Sequence, residues 1–132
     1  MNRTAAITAT AALALAVTLT ACSSSDSDSK PAAKAPAYKI THQDKSGNQR
    51  TVTVEVTSGK QLRAVFDDVA ARLTDPAGYY VQINCATGGT AKVDNRLANG
   101  RKAVGNIGAA STGLGDGKTD YQAQQGRSCP AK

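Results

Sequence analysis

Four basic side chains, Lys92, Arg96, Arg101 and Lys102, fall within one short stretch in which Asp94 is the only acid. Ammonium and guanidinium groups at that density attract anions: lipid headgroups, acidic envelope polymers or an acidic protein. The plainer reading is solvated charge at a turn. Other reactive types are sparse. His42 is the single histidine, so a relay of acid, histidine and nucleophile has one candidate base and no evident partners. The three cysteines, Cys22, Cys85 and Cys129, have no Cys-x-x-Cys spacing and no second histidine to join them, which removes the usual zinc sets. Asp116 and Asp120 lack the intervening acids and trailing Glu of a calcium loop. Asp67 and Asp68 lie about 100° apart on a helix, each with an arginine four residues away, and read as solvated charges. Gly88-Gly89 follows a strand, but no Gly-Lys-Ser/Thr follows it, so no phosphate cradle is expected. These residues point to no catalytic group, no cofactor and no metal. The expectation is a protein that is not an enzyme.

The N-terminal stretch has a different character. Arg3 supplies a short positive start, and Ala5 to Leu19 is an uncharged run of Ala, Leu, Val, Ile and Thr. That run suits a secretory leader and is short for a bilayer span. It ends in Leu19-Thr20-Ala21-Cys22, where Leu19 is a poor residue for ordinary leader cleavage after Ala21. The four residues resemble the lipobox of bacterial lipoproteins. The resemblance implies that residues 1–21 are removed and that Cys22 becomes the lipidated first residue. By the same resemblance it would carry a diacylglycerol thioether, with the new amino group open to acylation. One acyl chain holds a protein reversibly, whereas two or three hold it stably, at about 0.8 kcal/mol per buried CH₂. The implied location is the outer face of the cytoplasmic membrane, lipid-anchored, in a bacterial envelope. The alternative is a freely secreted protein with a free cysteine near its start. The Ala-rich leader and polar tether are similar in composition to those of small actinobacterial lipoproteins.

Residues 22–37 then read as a tether. Ser, Asp, Lys, Pro and Ala predominate and no large apolar residue occurs, so this segment cannot bury enough surface to offset its ordering. About 16 flexible residues reach roughly 20 to 25 Å, which keeps the cargo near the lipid. Residues 38–132 form one small domain with Phe66 as its only phenylalanine and no tryptophan. A core so thin needs a staple. Export permits a disulfide, and once Cys22 is taken by lipid, Cys85 and Cys129 remain as a pair. Two unpaired thiols are the alternative.

The elements that must position these groups read as α+β. Tyr38 to His42 and Arg50 to Thr57 form a hairpin, the second strand alternating Val52, Val54 and Val56 with polar residues. Leu62, Val65, Phe66, Val69, Ala70 and Leu73 make a helical apolar stripe within Ser58 to Thr74, with Ser58 and Gln61 as a capping box and Asp75-Pro76-Ala77-Gly78 as the stop. Tyr79 to Cys85 is a third strand with Tyr80, Gln82 and Asn84 facing away from the core. Asn99-Gly100, between Val93 to Ala98 and Arg101 to Asn106, carries a type I′ hairpin signal that would gather the four basic residues near its tip. A helix through Val93, Leu97 and Val104 also fits, but Asn-Gly in its middle argues against it. Ile107 to Gly117 reads as an irregular loop, and Thr119 to Ala123 as a closing edge strand. The expected architecture is an antiparallel sheet with one amphipathic helix on one face, stapled by a disulfide.

The functional expectation is a membrane-anchored, non-enzymatic binding or accessory module. Its partners would be the bilayer through the Cys22 acyl chains and, through the basic hairpin, an anionic envelope polymer or an acidic protein. Nucleic acid is not expected, because aromatic residues are too few to stack bases. The first rival is a small protein inhibitor presenting the loop between Gly105 and Gly117. The second is an enzyme without a recognisable motif.

Overall fold

The computed structural model describes residues 33–130; the leader, Cys22 and most of the tether lie outside them. Five strands and two helices follow one another as β1 (Tyr38–Gln43), β2 (Gln49–Val56), α1 (Leu62–Ala71), β3 (Ala77–Cys85), β4 (Asn95–Val104), α2 (Gly105–Thr112) and β5 (Thr119–Ala123). The fold is α+β, with one sheet in the order β1-β2-β3-β4-β5. No helix among the described residues is long and apolar enough to cross a membrane.

The sheet is mixed rather than wholly antiparallel. β1–β2, β3–β4 and β4–β5 pair antiparallel, whereas β2 and β3 pair parallel, with Val52 opposite Val81 and Val54 opposite Ile83. The physical reason is the helix between them: a chain that leaves β2, packs α1 on the sheet and returns beside β2 comes back in the same direction. Val52, Val54, Val56, Tyr79, Val81, Ile83 and Cys85 share the face that α1 covers with Val65, Phe66, Val69 and Ala70, joined by Leu73 just past the helix, and all of these are buried. α1 starts at Leu62 with no side-chain cap. Ser58 Oγ accepts the Lys60 N–H at 3.2 Å, so it closes the preceding turn instead of the helix, and Gln61 enters in the left-handed region at φ 55°.

Two expectations for the C-terminal half are corrected. Asn99-Gly100 is not a turn; it lies inside the continuous strand β4. The glycine serves close approach: a Cβ on Gly100 would come under 3.0 Å from the buried Phe66 ring. Ile107 to Gly117 is not one irregular loop, since α2 occupies Gly105–Thr112. Its small residues conceal the helical period in the sequence, yet they let the helix press on the other sheet face. A Cβ on Gly108 would collide with the Ala77 carbonyl oxygen and one on Gly78 with Ser111. Gly113, at φ 73°, ends α2 by donating its N–H to Ala109 O at 2.9 Å. The exposed loop that an inhibitor would present is therefore largely a packed helix.

The Cys85–Cys129 bridge is formed, with the two Cα atoms 5.5 Å apart. It ties the C-terminal strap to the end of β3. Asn95 Nδ2 holds the same strap by donating to Ser128 O at 3.1 Å.

Candidate functional site

Strand alternation sends every second side chain of β2 to β5 to the face opposite α1. α2 covers one end of that face, and the rest is open. Its residues stand in rows across the strands: Thr51, Tyr80, Arg101 and Asp120 next to α2; Thr53, Gln82, Asn99 and Gln122 in the middle; Glu55, Asn84 and Arg96 beyond. A register irregularity beside Asn84 keeps Arg96 on this polar face although Ala98 and Leu97 are both buried.

Arg96 is the centre of the arrangement. Its Nε donates to Asn84 Oδ1 at 2.5 Å, Nη1 to Asn99 Oδ1 at 2.8 Å and Nη2 to Gln82 Oε1 at 2.8 Å. No carboxylate pairs with it among the described residues. Glu55 stands one strand beyond Asn84, about 10 Å from β4 by strand spacing. Three neutral amides thus fix the direction of a guanidinium whose charge stays uncompensated. Arginine has only donors, so each amide must turn its oxygen inward and its NH₂ outward. These NH₂ groups meet no acceptor among the described residues, and none is both buried and unsatisfied.

Beside this cluster a cleft of about 310 Å³ opens between β3, β4 and β5, lined by Tyr80, Gln82, Asn99, Arg101, Asp120 and Gln122. Arg101 is paired there: Nη2 donates to Asp120 Oδ2 at 2.7 Å and Nη1 to Thr112 O at 3.1 Å. Tyr80 donates its hydroxyl to Ser111 O at 2.8 Å, which fixes the ring against α2.

The four basic residues singled out in the sequence are therefore not gathered at one tip. Arg96 and Arg101 share the open face. Lys102 points the opposite way, donating from Nζ to Ala70 O at 2.6 Å near the end of α1, where burial holds its pKa below the ordinary lysine value. It satisfies a helix C-terminal carbonyl rather than a ligand. Lys92 lies in the exposed loop between β3 and β4. His42, the one candidate base, is exposed on β1 and hydrogen-bonds Asp44 at 2.9 Å. The described residues contain no group of three or more potential metal ligands. Gln82, Asn84 and Asn99 are the members that sequence reasoning missed. The outward alternation of Gln82 and Asn84 was a signal for two of them, whereas Asn99 was masked by the Gly100 beside it.

Comparison with known proteins finds no counterpart: no family model, no curated protein and no solved structure matches this chain.

Proposed function

We propose that this chain is a lipid-anchored, extracytoplasmic binding or accessory module without catalytic activity, held by acyl chains on Cys22 at the outer face of the cytoplasmic membrane. Its ligand is an acidic component of the envelope, an anionic polymer or an acidic protein surface. The observation that carries the reading is Arg96, a guanidinium oriented by three amide oxygens and without an acidic partner among the described residues, on an open sheet face. Such a group is ready to accept a negative charge at little reorganisation cost. The lipobox resemblance supplies the location, and the tether keeps the domain close to the lipid.

The test compares the open sheet face with the β3–β4 loop in one assay. Retention of the full-length protein on anionic envelope material at low salt should fall at least tenfold in R96Q/R101Q, because a charge-assisted hydrogen bond contributes about 1.5 to 3 kcal/mol and tenfold is 1.4 kcal/mol. K92Q, in the β3–β4 loop, should change it little. Equal retention of all three proteins would remove the open face from the function. Mass spectrometry of the N-terminal peptide tests the anchor separately, and an unmodified Cys22 thiol would refute it.

A further inference from the structure

We infer that the cleft between β3, β4 and β5 is a subsite for an acidic saccharide, whose ring lies against Tyr80 and whose carboxylate is taken up toward Arg96. The inference rests on the binding reading of the same face and names the ligand class. Donor balance is the first argument. Gln82 and Asn99 line the cleft, and because their oxygens are committed to Arg96, what each has left to offer is its NH₂ group. The Arg96 guanidinium has five N–H groups and uses three of them on Asn84, Asn99 and Gln82. A complementary ligand is rich in acceptors. A sugar bearing a carboxylate provides hydroxyl and carboxylate oxygens on one small frame.

Charge balance is the second argument. Arg101 is neutralised by Asp120 across the cleft, so the excess beside it is the single charge of Arg96. One carboxylate matches that charge. A doubly charged phosphate monoester would leave negative charge next to Asp120 and Glu55. Shape is the third. The cleft, at about 310 Å³, is at the small end of ligand sites and suits one sugar residue of a chain that continues over the open strands. Tyr80 gives it an apolar wall with a hydroxyl already tied to Ser111 O, so the ring is fixed before a ligand arrives.

The experiment titrates the full-length protein, in nonionic detergent, with a trigalacturonate, its methyl ester and a glycerol-phosphate oligomer, reading heat and amide chemical shifts. The uronate should bind, with the ester at least tenfold weaker. Asn99→Asp provides the decisive variant: it hands Arg96 a carboxylate of the same shape, so the fold is kept while the charge is consumed. Its melting temperature should equal or exceed that of the wild type, and its uronate affinity should fall at least tenfold. Equal binding of acid and ester, or unchanged binding by Asn99→Asp, would overturn the inference. Tighter binding of the glycerol-phosphate oligomer than of the uronate would overturn the saccharide assignment and leave the anion-binding function standing. Binding of neither anion would overturn both.

Discussion

The two faces of the sheet use the same strands for opposite ends. On the α1 side, Val52, Val54, Val81 and Ile83 are at most 1% exposed, and Phe66 packs so closely that β4 must carry a glycine beneath it. On the other side the amide oxygens of Gln82, Asn84 and Asn99 are taken by Arg96, and the NH₂ groups of the half-buried Gln82 and Asn99 meet no acceptor among the described residues. One face lowers the free energy of the fold by removing apolar surface from water; the other contributes little to stability and keeps oriented polar groups available. A domain with so few large apolar residues cannot cover both faces. α2, built from small residues, closes only one end of the second.

That contrast can be broken most severely at its covalent end. Cys85 belongs to the dry face, and Cys129 carries the strap over its edge. The bridge spans a sequence separation of 44 residues. Closing a loop of that length contributes about 4 kcal/mol in the chain-entropy model. Replacing both cysteines by alanine should therefore remove about 4 kcal/mol from the unfolding free energy measured in urea. A loss below about 1 kcal/mol would mean that the apolar face holds the fold without help.

The next effect sharpens the comparison at two neighbouring residues that face opposite ways. Gly100→Ala drives a methyl group into the Phe66 ring and should cost about 2 to 3 kcal/mol, the upper part of the range for overpacking. Asn99→Ala removes one oxygen from Arg96 on the open side and should cost about 1 kcal/mol or less. Thermal melts of the two variants decide it. Equal costs would show that the open face is as structural as the dry one.

Much of this was legible in the sequence, and each failure has a physical cause. Alternation of Val52, Val54 and Val56, the stripe from Leu62 to Leu73 and the pairing of Cys85 with Cys129 all depend on burial or count, which local pattern carries well. Parallel pairing of β2 and β3 was not read, although a strand, a helix and a strand stood in order, because pairing direction is decided by the crossover and not within either strand. Gly100 and Gly108 misled for another reason. A glycine signals either a turn or a close approach, and only the tertiary neighbour, Phe66 for one and Ala77 for the other, distinguishes them. The basic cluster divided because of strand alternation. Lys102 and Arg101 are adjacent in sequence and lie on opposite faces of one strand, so proximity along the chain did not become proximity in space.

The smallest expected effect concerns pH and again separates the two sides. Asp68, on α1, accepts the Tyr38 hydroxyl at 2.5 Å and the Arg72 guanidinium at 2.9 Å, joining the helix to the first strand. These contacts, the Tyr38 hydrogen bond first, hold its carboxyl below the ordinary aspartate pKa although desolvation opposes them. A carboxyl whose folded pKa is depressed stabilises the fold fully above its unfolded value, near 4, and loses that contribution as pH falls through the folded value. The stability difference between wild type and Asp68→Asn should therefore be present at pH 6 and shrink steadily below about pH 4. Arg96 has no carboxylate partner among the described residues, so Arg96→Gln should leave the acid limb of the stability curve parallel to that of the wild type. A changed slope in Arg96→Gln would mean that Glu55 or Asp120 reaches the guanidinium in solution, and the uncompensated charge on which the open face depends would be lost with it.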